Sequence, residues 1–186
     1  MRFFDRLPLL TGAVAFAGVI VLLAACAHGN RAPSLQLLDD RGQTWASQDQ
    51  SGGMVVVFGY THCEDTCPLT LAKLSKALKD VEPSAGSTQI AFITVDPQRD
   101  TPRVLHAWLS KFGPRVVGLT GTASQIESVE RSYHVYAQKL PSRRRGYGYD
   151  EAHSSTMFFI DKNRYIVSLH DPTDSPGELA QAMRQL

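Results

Sequence analysis

The sequence predicts an α/β fold, a central mixed or parallel sheet flanked by helices, and three observations carry that expectation. Met54–Tyr60 is a continuous apolar run of strand length. Strand-like and helix-like segments alternate after it, and two strand-like runs, TMFFID and YIVSLH, precede a closing amphipathic stretch. A short run without polar alternation fits a strand buried on both faces, as in parallel sheets. Strands alternating with helices build βαβ units.

In chain order, LQLLDDRGQTWA (35–46) predicts a short hairpin turning at Asp40-Arg41-Gly42. Gly52-Gly53 punctuates the chain before the Met54–Tyr60 strand. Pro68 stands where the first turn of a helix tolerates it, and Leu69, Leu71, Leu74, Ala77, Leu78 and Val81 form a helical apolar stripe. Ile90–Val95 reads as a strand, Pro102–Phe112 as a helix, Val116–Leu119 as a strand and Ala123–Tyr133 as a helix. PSRRRGYGYDE (141–151) is basic, glycine-bearing and aperiodic, and reads as a loop. The two terminal runs flank Lys162-Asn163-Arg164 as a hairpin, and Pro176–Leu186 closes as a helix. Periodicity alone supports no more than an α/β sandwich. A cysteine pair at the helix start after the first apolar strand narrows this to a thioredoxin-like fold.

The chain has 186 residues, 43% of them apolar and 20% charged, enough for one domain with a real core. A formal net charge of +1 argues against nucleic-acid binding as the main activity. Residues 1–25 stand apart. Arg2 and Arg6 precede the uncharged run Leu7–Ala25, and Leu23-Ala24-Ala25-Cys26 resembles a bacterial lipoprotein signal. That resemblance implies cleavage before Cys26 and lipid on its sulfur. The alternative is an uncleaved anchor, since about 20 apolar residues span a bilayer. Both place the remainder outside the cytoplasm, membrane-tethered and facing the periplasm. Residues 26–34 read as a tether and 35–186 as the domain.

Of three cysteines, lipidation of Cys26 would leave Cys63 and Cys67, too few for a disulfide scaffold. The pair is placed to react or to bind. Amide groups at a helix N-terminus favour thiolate over thiol, which serves both. Residues four apart on one helix hold their Cβ atoms about 5–6 Å apart, wider than the ~3.5–4.5 Å of a disulfide. Bridging would require Cys63 to sit outside the regular helix, so the spacing leans towards metal without excluding a disulfide. A third ligand could come from His62, His106, His134, His153 or His170. His106 and His134 fall within or beside helices as surface or packing residues, His170 ends a strand as a turn residue, and adjacent His62 and Cys63 rarely point at one ion. His153, opening HSSTMFFID after the odd loop, is the distal candidate.

YTHCEDTCP (60–68), TVDPQRDTP (94–102), GLTGT (118–122) and YDEAHSSTMFFID (149–161), in this order, resemble the SCO/SenC family of copper-binding cytochrome c oxidase assembly factors. The resemblance runs from about Leu35 to the C-terminus. It implies a tethered, exported copper metallochaperone whose ligands are Cys63, Cys67 and His153. Its task would be to deliver copper, or reduce the receiving cysteines, at the binuclear copper (CuA) site of oxidase subunit II. Soft thiolates suit Cu(I), and imidazole accommodates either oxidation state. Two departures stand out. Glu64 occupies a place where relatives commonly have proline, which bears on affinity. Ser154-Ser155-Thr156 lacks the proline that thioredoxin-like oxidoreductases carry before the facing strand, which favours binding over redox turnover.

Asp96 is a candidate second-layer carboxylate for the metal; the simpler expectation is that Asp96 caps a turn, Asp100 or Thr101 starts the next helix, and Arg99 pairs nearby. Gly146 and Gly148 predict a loop that moves His153 on and off the metal. Arg143-Arg144-Arg145 either dock an acidic partner or anionic lipid headgroups, or are simply solvated. The methionines at 1, 54, 157 and 183 form no copper-binding stripe. The alternative function is a thiol–disulfide oxidoreductase with Cys63 attacking and Cys67 resolving; a peroxidase-like redox sensor stands third.

Overall fold

The computed structural model describes residues 30–81, 86–142, 146 and 148–186. The signal or anchor segment, Cys26 and Arg143-Arg144-Arg145 lie outside the described residues. Among the described residues, no helix is long and apolar enough to cross a membrane. Residues 30–34, assigned by composition to the tether, are bonded to the domain: the Ala32 amide donates to the Arg164 carbonyl and the Ile166 amide to that of Asn30.

The hairpin β1 (Gln36–Asp39) and β2 (Thr44–Ala46) forms as expected, with Gly42 at φ +77° in its turn. The apolar run becomes β3 (Met54–Gly59), buried at every position. It leads into α1 (Thr66–Asp80), β4 (Gln89–Thr94), α2 (Pro102–Leu109), β5 (Val116–Thr120) and α3 (Ala123–Ser132). Then come β6 (Ala137–Pro141), β7 (Tyr149–His153), β8 (Met157–Ile160), β9 (Ile166–His170) and α4 (Pro176–Met183). Seven strands make one mixed sheet in the order β2-β1-β5-β4-β3-β8-β9, with β3, β4 and β5 mutually parallel. β3 and β4 contribute alternate residues to two cores. Val55, Val57, Ile90 and Phe92 pack towards α1, α2 and α4, whereas Val56, Phe58, Ala91 and Ile93 pack towards α3. Burial on both faces explains why β3 reads without polar alternation.

The helix starts follow from capping chemistry. The Thr101 hydroxyl accepts from the Val104 amide at the start of α2, and Thr122 with Gln125, like Ser175 with Glu178, closes a reciprocal cap. Thr101, not Asp100, is therefore the cap of α2. Leu69, counted into the apolar stripe of α1, is instead 62% exposed; the buried face runs through Cys67, Thr70, Leu71, Leu74, Ala77 and Leu78.

Within the segment expected to be a loop at 141–151, Pro141 and Tyr149–Glu151 belong to a two-stranded ribbon, with β6 and β7 paired antiparallel from Ala137↔His153 to Pro141↔Tyr149. Backbone pairing holds it, not an apolar face, so no period-two signal announces it. Gly59, at the end of β3, leaves room for a cysteine sulfur. A Cβ there would lie 2.7 Å from the Phe92 ring and 2.9 Å from the Cys67 sulfur. Gly59→Ala is expected to displace that sulfur and cost roughly 1–3 kcal/mol, read by denaturant unfolding of the apo protein.

Candidate metal centre

Cys63 and Cys67 follow the C-terminal end of β3, where parallel sheets commonly gather functional groups. Cys63 lies ahead of the helix, its amide bonded to the Tyr60 carbonyl at 3.2 Å. Cys67 is the second residue of α1. Helical i,i+4 spacing therefore does not separate the two sulfurs. The Cys67 amide points at the Cys63 sulfur at 3.5 Å, and both cysteines are free thiols.

The two sulfurs differ sharply. Cys63 is half-buried; the Cys67 thiol donating to it, the amides of Cys67 and Asp65, and nearby His153 hold its pKa down to about 5. Cys67 is 4% exposed. Its proton is retained because it bonds the Cys63 sulfur and because burial and the Cys63 charge oppose a second thiolate. Metal-free protein is therefore expected to alkylate with iodoacetamide at Cys63 with a pH midpoint near 5, and only slowly at Cys67. Peptide mapping of the alkylated protein across pH 4–9 checks this. A midpoint near 8.5, the value of an ordinary thiol, would contradict it.

His153 comes to the pair from the end of β7. Its Nε2 stands 3.9 Å from the Cys67 sulfur. Its Nδ1 is 2.8 Å from the Ser154 carbonyl oxygen. A carbonyl only accepts, so Nδ1 carries a proton, and in the neutral ring Nε2 turns its lone pair towards the sulfur. A sulfur and a nitrogen sharing one ion at bond lengths of about 2.3 and 2.0 Å stand about 3.5–3.7 Å apart, a little less than the separation seen. Among the described residues, no three His, Cys, Asp or Glu side chains form a ready-made metal cluster, so ligation would draw Cys63 in. Beneath Cys67 and His153 the hollow is only about 10 Å³ and is walled by Val57, Phe58 and Phe92. An ion would sit on the outer side, towards half-exposed Cys63. The larger surface hollows, such as one of about 530 Å³ beside Asp40 and His106, lie away from the sulfurs.

The remaining histidines go elsewhere. His62 turns its Nδ1 to the Thr61 hydroxyl at 3.2 Å, and His106 pairs with Asp40. His134 adopts φ +54° after α3. His170 bonds Asp174 at 2.6 Å and packs on the Phe159 ring.

Asp96 and Asp100 are both fully buried and divide the work of holding the site. The Asp96 carbonyl accepts from the amides of Arg99 and Asp100, as expected of a turn. Its carboxylate accepts from Arg99 Nε and from the Tyr149 hydroxyl. Arg99 also donates to the Tyr149 carbonyl at 3.0 Å and lies 3.8 Å over its ring. Asp96 thus fixes the start of β7, the strand that ends in His153. Asp100 is a site residue that the sequence does not disclose. It accepts from the Thr61 amide at 3.0 Å, the Thr61 hydroxyl at 2.6 Å and the Thr94 hydroxyl at 2.7 Å. That ties the Cys63 loop to β4. The only signal for it in the sequence is its place in DPQRDTP, where it reads as a helix start.

The SCO1/SenC family model matches residues 27–186. The mitochondrial SCO2 homologue of Danio rerio is 34% identical over 151 residues, covering 80% of this chain and 54% of its own. The chain spans about half the length of the curated relatives it matches. Among solved structures, Arabidopsis thaliana ScoI with copper bound superposes with a TM-score of 0.76 at 30% identity, covering 83% of this chain and 99% of that one. Bradyrhizobium japonicum ScoI with copper bound gives 0.74 at 33%, covering 83% and 98%. The architecture is the thioredoxin-like one of these Sco structures. The sheet, the placement of the cysteine pair and both comparisons agree: the chain belongs to the SCO1/SenC family.

Proposed function

We propose that this protein is an exported, membrane-tethered copper metallochaperone that binds one copper through Cys63, Cys67 and His153 and serves assembly of the CuA centre of cytochrome c oxidase subunit II. The observation that carries the reading is the approach of His153 Nε2 to the Cys67 sulfur across 86 residues of chain, with the Nδ1 proton committed to Ser154. Similar Sco structures were solved with copper bound. Two sulfurs and an imidazole are a donor set suited to copper, and a low-pKa Cys63 supplies a thiolate without competition from protons at neutral pH. The proposal takes residues 1–25 as signal or anchor, Cys26 as the lipidated residue and 35–186 as the copper-binding domain. In it, Asp96 acts on the metal indirectly, by placing β7.

A second reading has its own observation. A half-buried thiolate at Cys63 beside a buried, protonated Cys67 is also the arrangement of an attacking and a resolving cysteine. One experiment separates the two: mixing the reduced, Cu(I)-loaded full chain with the metal-free soluble domain of oxidase subunit II. Copper appearing on the acceptor supports delivery. Disulfide reduction on the acceptor with copper left behind supports the oxidoreductase.

A further inference from the structure

Among the described residues, Glu151 carries a buried carboxyl group whose pairing is incomplete. It lies on β7, is 7% exposed, and its Oε1 has no hydrogen-bond partner. Leaving a buried carboxylate oxygen unpaired costs several times an ordinary hydrogen bond. The cations acting on it are engaged elsewhere. Lys139, directly across the ribbon, donates to Gln98 Oε1 at 2.8 Å and lies 4.5 Å over the Tyr149 ring. Arg99 is held by Asp96 and the Tyr149 carbonyl.

Glu151 lines a groove of about 210 Å³ between α3 and the β6–β7 ribbon. Glu130 of α3 stands on the same groove, and Val95, Ile126 and Ala137 give it apolar wall. Burial and the neighbouring Glu127 lift the Glu130 carboxyl to about 7, so it too gains from an arriving positive charge. Pockets for drug-sized molecules run from about 300 to 1,000 Å³; this one is sized for a single side chain. Apolar walls around acidic groups match a long basic side chain, which buries its methylene stem and directs its charged head to a carboxylate.

We propose that this groove receives one arginine or lysine side chain of a partner protein, whose head pairs with the Glu130 and Glu151 carboxyl groups that line it. Arginine fits better, because its planar fork can reach two carboxylates at once. The site needs no metal, so it stands or falls separately from the copper reading.

The test titrates the full chain, metal-free and carrying ¹³C-labelled glutamate carboxyls, with the peptide acetyl-Gly-Arg-Gly-amide. The same peptide with citrulline, the uncharged isostere of arginine, serves as control, and free agmatine is a third arm. The Glu151 resonance is the one missing from Glu151→Gln. The expected result is a saturable shift of that resonance by the arginine peptide, at least tenfold weaker with citrulline and in Glu130→Gln; in Glu151→Gln the shift of the Glu130 resonance, assigned by its loss from Glu130→Gln, is at least tenfold weaker than in the unaltered chain. No saturable shift, or equal shifts from both peptides, would overturn the proposal. Agmatine binding tenfold tighter than the peptide would overturn it in favour of a free cation. Binding seen only in Lys139→Ala would overturn it as well, by showing that Lys139 already fills the site.

Discussion

His153→Ala is expected to lower Cu(I) affinity by at least about 100-fold while leaving the fold intact. Removing a group that merely orients a metal ligand costs about 10–100-fold, and His153 would be a ligand itself. Its ring is half-buried at the end of β7 and packs edge-on to Tyr60 at 6.0 Å, so truncation leaves no large void in either core. Competition with a chromophoric Cu(I) chelator, beside thermal unfolding of the apo protein, checks both halves. Unchanged affinity would remove His153 from the ligand set. An equal loss of affinity and of fold would make its role structural.

Asp100→Ala is expected to be the most destabilising single change near the site, at about 2–4 kcal/mol. The carboxylate is itself costly to bury, and burial raises its pKa against the pull of the Thr61 and Thr94 hydroxyls. Removing it strands its donors. The Thr94 hydroxyl is fully buried, accepts from the Asp96 amide at 2.9 Å and donates a hydrogen bond to Asp100. Each such orphaned group costs about 1–3 kcal/mol. The Thr61 amide and hydroxyl would be released together, loosening the turn that carries Cys63. Urea unfolding of the apo variant measures the loss, and Asp100→Asn should recover part of it, because the amide oxygen still accepts. A change under about 0.5 kcal/mol, the range of ordinary surface substitutions, would contradict this role of Asp100 in the turn.

The sequence exposes what has local periodicity and hides what is held by distant polar partners. β3 is legible because all six residues are buried, and Cys67 at the start of α1 follows from Pro68 and the stripe behind it. The ribbon of β6 and β7 is not. AQKLP is almost wholly exposed and YDEAH is polar, so neither shows an apolar alternation. This changes the setting of His153. It ends a paired strand, with Ala137 opposite and Ser154 holding its ring, and does not ride on the aperiodic segment itself. Gly146 and Gly148, at φ +88° and +71°, serve the turn region between the two strands. Asp100 is hidden for a different reason. Its three donors come from two segments, residues 6 and 39 positions away, and no spacing rule connects them. Cys63 lying outside the helix is likewise decided by the Tyr60–Cys63 turn, which the cysteine spacing alone does not fix.

X-ray absorption at the copper edge of the Cu(I)-loaded full chain tests the central claim most directly, because it counts ligands by element. The expected spectrum is one copper per chain bound by two sulfurs and one imidazole nitrogen, with the nitrogen lost in His153→Ala and one sulfur lost in Cys67→Ala. A spectrum of sulfur alone, or one that His153→Ala leaves unchanged, would contradict it.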